Sequence, residues 1–280
     1  MRRFDGWRLR TDHVTRFSYP LPARASYNEV RKIPQSTGRQ TSLDARVHTT
    51  PNVAQYGYRD YWGTPVVAFN VDGPHEELLV HGEALVETHP PADPPGATWA
   101  EVAVAGTRFA ELMTASRFTE PSPALAAAAA ELVEPTPTQT IERVVGWVHG
   151  ALHYVPGVTS VKTSATEAFE SGRGVCQDFA HLALSVLRLC GIPARYVSGY
   201  LHPDPEATVG LEAVGESHAW IEAWAGDWWG LDPTNDIPIG LRHILVARGR
   251  DYGDVAPIKG IYAGGSDHSV EVAVRITRTV

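Results

Sequence analysis

Residues 88–98, THPPADPPGAT, divide this chain more sharply than any other feature, because a run so dense in proline with glycine supports neither helix nor sheet. Before it, from residue 6 to about 88, β-type runs alternate with turn signals: HVTRFSY, YGYRDYWG, PVVAFNV, and ELLVHGEALVE after a DGPH turn. After it the period lengthens. TWAEVAVAGTRFAELMTASRF, SPALAAAAAELV and TPTQTIERVVGWVHGALHYV each suit a helix, with Ser, Thr or Pro near the start. From residue 194 β-type runs return (ARYVSGYL, HAWIEAWA, WWGLD), and the last, SVEVAVRITRTV, puts Val270, Val272, Val274 and Ile276 on one face. At 280 residues two folding units are expected. These are an all-β unit over residues 1–90 and an α+β unit over 91–280, with helices first and then a mostly antiparallel sheet.

Composition narrows the partners. A net charge of −8 without any cluster of Lys and Arg disfavours nucleic acid, which is bound through its phosphates. No apolar run reaches the ~18 residues of a spanning helix, and no apolar segment follows the basic start MRRFDGWRLRTDHVTRF, so neither membrane insertion nor secretion is expected. Two cysteines are too few for a disulfide framework, which fits a reducing compartment, and the expected location is the cytoplasm.

The stretch SGRGVCQDFAHLALSVLRLCGIPARYV is apolar on nearly all sides from Val175 to Cys190, the mark of a helix buried inside a domain. Gly172 and Gly174 allow close backbone approach before it, and Gly191 and Pro193 stop it. Cys176 therefore falls in the first turn. There the free N–H groups and the partial positive charge favour the thiolate, which is the nucleophilic form, and can also receive an oxyanion. Cys190 reads as a small apolar residue. It stands 14 positions later, about 21 Å along a continuous helix, which excludes a disulfide between the two. Asp178 and His181 are expected to make buried hydrogen bonds.

A thiol nucleophile needs an imidazole and usually a third group to orient it. Of twelve histidines, His218 opens SHAWIEAWAGDWWGLDPTN, two Trp-rich strands joined by Ala-Gly-Asp. With a three-residue loop, Trp224 faces Trp228, and counting outward Trp220 faces Asp232 and His218 faces Thr234. His218 and Asp232 then share a face as diagonal neighbours, roughly 5.5–8 Å apart at Cβ. A two-residue loop would put them on opposite faces. The plain readings are a core histidine and, for Asp232 before Pro233, a turn opener.

Together these segments resemble the bacterial transglutaminase-like proteins, a group related to papain-like cysteine proteases. The resemblance is carried by GVCQDFAHLALSVLRLCGIPARYVSGYL, SHAWIEAW, WWGLDPTN and HILVARGRDYGDVAPIKG, and in the N-terminal part by YNEVRKIP and YRDYWGTPVVAFNV. It implies an N-terminal β-sandwich before a papain-like, transglutaminase-like α+β catalytic domain. It also implies a triad of Cys176, His218 and Asp232 that cleaves, transfers or forms amide bonds through a thioester, on a peptide or other amide substrate. No D-x-D-x-D-G calcium loop is present, and no cofactor is expected. Tyr154, in HYVPGVTS, is the candidate second oxyanion donor. Two other classes compete: a binding or scaffold protein that kept the fold and lost activity, and a zinc hydrolase using His202, His218, His243 or Cys176. The latter lacks H-E-x-x-H or paired C-x-x-C spacing. The aromatic residues Tyr200, Trp220, Trp224, Trp228 and Trp229 are expected in the core.

Overall fold

The computed structural model describes residues 5–264 and 268–280. Strands β1 (Trp7–Val30), β2 (Gln40–Thr50), β3 (Gln55–Arg59) and β4 (Pro65–Thr88) form the N-terminal part. Strict alternation dictates which face of β1 is buried: Trp7, Leu9, Thr11, His13 and Thr15 turn inward. The DGPH segment, expected as a turn, does not reverse the chain. β4 runs through it, with Gly73 at φ +117°, while β1 is irregular at the facing residues 18–25. Both long strands thus bend together. One half of the ribbon carries β2 and the other β3, and the halves close over a core of Tyr19, Val47, Val67, Phe69, Val71, Leu78 and Val80.

The helices follow the caps the sequence supplies. α1 (Trp99–Arg108) has a Thr98–Glu101 capping box and is followed by the short α2 (Ala110–Met113); α3 (Pro123–Leu132) starts at Ser122 and α4 (Pro137–Ala151) at Thr136, each with Pro at its first position. A two-residue strand β5 (His153–Tyr154) comes next. Then follow α5 (Ala165–Ser171), β6 (Arg173–Gly174), which pairs in parallel with β5, and α6 (Cys176–Leu189). Every residue of α6 from Gln177 to Arg188 is buried, the polar Gln177, Asp178, His181, Ser185 and Arg188 together with the apolar ones, so the helix lies inside the domain. No helix among the described residues is long and apolar enough to cross a membrane.

The second sheet is built on β7 (Ala194–Leu201), β8 (Glu212–Trp224), β9 (Trp228–Asp232), β10 (Ile237–Pro238) and β11 (His243–Gly249), in the order β11-β7-β8-β9-β10. After α7 (Tyr252–Val255), the chain returns to the N-terminal strands. β12 (Ile258–Ala263) and β13 (Ser269–Arg278) both pair with β1, and β13 also pairs with β8. β13 therefore joins the two sheets. A single core runs from Trp7, Leu9, Ala84 and Val86 of the β ribbon to Leu182, Val186 and Ile221. The fold is thus α+β, with a large antiparallel N-terminal sheet. On β13, Val274 and Ile276 are buried while Val270 and Val272, on the same face, remain exposed.

Candidate active site

Cys176 is the first residue of α6, where the N–H groups of the opening turn have no partner within the helix. The approach to it is tightly constrained. Gly172 ends α5 at φ +63°, and a Cβ on Gly174 would lie 2.6 Å from that of Asp178. Asp178 closes the turn, accepting from the Val175 N–H at 2.8 Å and from the Thr159 hydroxyl at 2.7 Å. Burial pushes its pKa up, against those two hydrogen bonds. His181 accepts from the Tyr252 N–H at 3.2 Å and stacks on Phe118, and burial takes its pKa down to about 3. Both residues make the buried hydrogen bonds expected of them. Cys190 caps the far end of the helix, its thiol directed at the Ala129 carbonyl, and burial pushes its pKa to about 11. Both cysteines are free.

His218 lies on β8 opposite Gly199 of β7. A Cβ at Gly199 would stand 2.0 Å from the Ile244 carbonyl oxygen and 2.5 Å from the Trp220 ring, so only glycine allows this packing. The β8–β9 hairpin has the three-residue loop Ala225–Asp227 with Gly226 at φ +105°, and its ladder runs from Trp224↔Trp228 to Ile221↔Leu231. There the ladder stops. The expected pairs Trp220–Asp232 and His218–Thr234 do not form: Leu231 is the last residue of β9 paired with β8, and Asp232 pairs only with Ile237 of β10, on the other edge of the strand. The face is nevertheless the expected one, and His218 Nε2 meets Asp232 Oδ2 at 2.7 Å.

Asp232 is fully buried and its carboxylate is saturated. Oδ1 accepts from the backbone N–H groups of Thr234 (3.0 Å) and Asn235 (3.3 Å). Oδ2 accepts from His218 Nε2, from Asn235 Nδ2 at 2.7 Å, and meets His243 Nε2 at 3.3 Å. Burial alone would raise the carboxyl pKa. The hydrogen bonds from the two histidines and their charge override it and hold Asp232 well below the carboxylate range. For His218 burial acts downward, yet the hydrogen bonds to Asp232 and Cys176 and the charges of both raise its pKa to about 10. With Nε2 committed to Asp232, Nδ1 is the nitrogen left for the Cys176 sulfur.

Cys176 and His218 open into a cleft of about 390 Å³ lined also by Tyr154, Gln177, Tyr196, Glu216, Tyr252 and Val272. Tyr154, the expected oxyanion donor, is there, but its hydroxyl donates to Glu216 at 3.3 Å. Burial first, then the Cys176 and Glu216 charges, push its pKa up to about 12. The aromatic residues expected in the core divide: Tyr200, Trp220 and Trp229 are buried, whereas Trp224 and Trp228 are half exposed. Glu216, Asn235 and Tyr252 carried no sequence signal that singled them out. Among the described residues His218, Asp232 and His243 place ligand-type atoms within 4.8 Å of one another. Their contacts are at hydrogen-bonding distances about a carboxylate oxygen already saturated by donors. Cys176 is not in this group, and His202 stands apart, bonded to Asp204 and edge-on to Trp7.

Residues 126–233, which hold Cys176, His218 and Asp232, match the model of the transglutaminase-like superfamily, and residues 9–87 match that of the bacterial transglutaminase-like N-terminal region. An uncharacterized protein of Mycobacterium leprae is 46% identical, over 97% of this chain and 99% of its own length. The chain belongs to the transglutaminase-like superfamily. Another relative, the protein-glutamine gamma-glutamyltransferase of Pseudomonas aeruginosa, is 32% identical over 96 residues, 30% of this chain and 14% of that protein. The fold of this superfamily member matches the crystal structure of a putative cysteine protease from Cytophaga hutchinsonii, with a TM-score of 0.77 at 20% identity over 98% of both chains.

Proposed function

We propose that the protein is a cysteine-nucleophile acyl-transfer enzyme acting on amide bonds. The observation that carries this reading is the 2.7 Å bond between His218 Nε2 and the buried Asp232, which leaves the other imidazole nitrogen to the half-buried Cys176 at a helix N-terminus in the same cleft. This arrangement favours a thiolate–imidazolium pair. The thiolate attacks the amide carbonyl carbon; a C–S bond forms and the carbonyl π electrons move to oxygen. The Cys176 N–H receives the oxyanion, with Tyr154 as second donor once its hydroxyl turns from Glu216. The intermediate collapses, the C–N bond breaks, and His218 gives its proton to the leaving amine. Water or another amine then attacks the thioester, His218 takes its proton, and the thiolate is released. Because the Pseudomonas relative is a protein-glutamine gamma-glutamyltransferase, a glutamine side-chain amide is the first acyl donor to try.

The test is mass spectrometry of the protein after exposure to glutamine-containing peptides, with and without a primary amine. An acyl adduct on Cys176, absent in Cys176→Ala, is expected. A protein that binds such peptides but never acylates, and whose Cys176 reacts no faster than Cys190, would instead be a scaffold that kept the fold.

A further inference from the structure

Asp232 holds two imidazoles, and only one faces Cys176. The second, His243, opens β11, outside the residues matched by the superfamily model. Its ring is buried, edge-on to Trp220 at 5.3 Å between centroids. Its Nδ1 accepts the Gly240 N–H at 3.2 Å, so the proton of the neutral ring is on Nε2, the nitrogen 3.3 Å from Asp232 Oδ2. Backbone geometry thus fixes the tautomer, and His243 can only donate to Asp232. A second proton would set an Nδ1–H against the Gly240 N–H, and burial likewise opposes the charged form. The charged groups around the ring are Asp232, His218 and the neighbouring Arg242, and Arg39, His89, Glu222, Asp227 and Arg248 line with it a second cavity of about 300 Å³.

We infer that His243 is a positioning residue for acyl transfer, which acts through Asp232 to hold its Oδ2 in the orientation that aligns His218 with Cys176. This rests on the proposed role of Cys176, His218 and Asp232. A donor to a carboxylate has two opposed effects. It fixes the oxygen in place, and it draws charge away from the other partner. If fixing dominates, losing the donor lets the carboxylate tilt, weakens the thiolate–imidazolium pair and moves the pH midpoint of thiol reactivity up. If charge withdrawal dominates, the midpoint moves down.

Two substitutions separate the two ends of the ring. In His243→Asn the amide oxygen takes the place of Nδ1 and keeps the Gly240 contact, but nothing reaches Asp232. In His243→Gln the amide nitrogen takes the place of Nε2 and keeps the donor to Asp232, while the Gly240 contact is lost. The rate of Cys176 alkylation by iodoacetamide is read from pH 5 to 9 by peptide mass spectrometry. Cys190 labelling in the same sample reports folding. With one hydrogen bond to a charged group at stake, His243→Asn should react about tenfold more slowly at pH 6–7, with its midpoint moved up. His243→Gln should stay close to the parent protein. Equal behaviour of the two variants, or a downward shift in His243→Asn, overturns the inference while the triad reading stands. Should either variant unfold, the other is compared directly with the parent protein, and a folded His243→Asn that matches it, or a folded His243→Gln shifted like a donor-less site, again overturns it. If Cys176 and Cys190 react alike in the parent protein, both the triad reading and this inference fall.

Discussion

Replacing Asp232 with Asn changes the mass of the residue by almost nothing and its hydrogen-bonding capacity completely. Five donors converge on the carboxylate: the N–H groups of Thr234 and Asn235 on Oδ1, and His218, His243 and Asn235 Nδ2 on Oδ2. An amide offers one oxygen and one NH2 group. If the oxygen stays with the backbone pair, the NH2 meets the Nε2–H of His218, and the imidazole must move its proton to Nδ1. It then no longer offers a basic nitrogen to Cys176. Losing a hydrogen bond to a charged group costs about 1.5–3 kcal/mol. Together with the wrong tautomer this gives a loss of at least ~100-fold, toward the ~10⁴-fold known for the same change in a serine triad. The sequence alone suggests little effect on melting temperature, but the structure points to a measurable one. Orphaned buried donors cost ~1–3 kcal/mol each, partly offset by removal of a buried charge. A net 1–2 kcal/mol corresponds to a fall of roughly 2–8 °C for a chain this size. The assay is Cys176 acylation or peptide turnover beside a thermal melt. Asp236 is the control: it is exposed at φ +53°, a conformation Asn tolerates, so Asp236→Asn should be close to neutral. A folded Asp232→Asn with more than a tenth of parent activity would refute the reasoning, as would Asp236→Asn abolishing activity while Asp232→Asn does not.

Limiting iodoacetamide near neutral pH should alkylate Cys176 well before Cys190, whose thiol pKa burial raises to about 11; equal rates in the folded protein would remove the case for an activated thiol. Activity should survive chelator treatment, since the proposed chemistry runs on Cys176, His218 and Asp232; activity lost to chelation and restored by zinc would point to the cluster of His218, Asp232 and His243 instead. Lys32 is buried, donates to the carbonyls of His13 and Val80 and to the Thr15 hydroxyl, and has its pKa lowered by burial to about 7. A pKa lower in the folded than in the unfolded chain means the unfolded chain binds more protons between the two values, so the charged lysine costs stability below about pH 7 and the cost fades toward its unfolded value. The melting temperature of Lys32→Met minus that of the parent should therefore fall as pH rises from 7 to 10, and a difference independent of pH would show that Lys32 does not titrate in this range.

Much of the site was legible because its signals are local. Glycines at 172 and 174, the Ala-Gly-Asp loop and the caps at Thr98, Ser122 and Thr136 act within a few residues, and each shapes the chain as its chemistry requires. Relations across long separations were not legible. Nothing near residue 243 says that β11 pairs with β7 and so brings that ring to Asp232, and nothing in SVEVAVRITRTV says that it pairs with β1. Nor does DGPH say whether the chain turns or runs on, since this depends on the facing irregularity in β1.

Asp232 shows why two readings of one residue need not compete. Before Pro233 it reads as a turn opener, and opposite His218 as an orienting carboxylate. Its two oxygens divide these tasks: Oδ1 closes the turn on the N–H groups of Thr234 and Asn235, and Oδ2 meets the imidazoles. The turn is what makes the orienting role possible. A buried carboxylate held only by His218 could rotate about its Cβ–Cγ bond, whereas two backbone donors anchor one oxygen and leave the tilt of the other to the donors it meets, His218, Asn235 Nδ2 and His243. The strand therefore has to end at Asp232. Continued pairing toward Thr234 would commit the two amides to a ladder and leave the carboxylate without its anchor, which is why the ladder stops short of the pairs that simple counting expects.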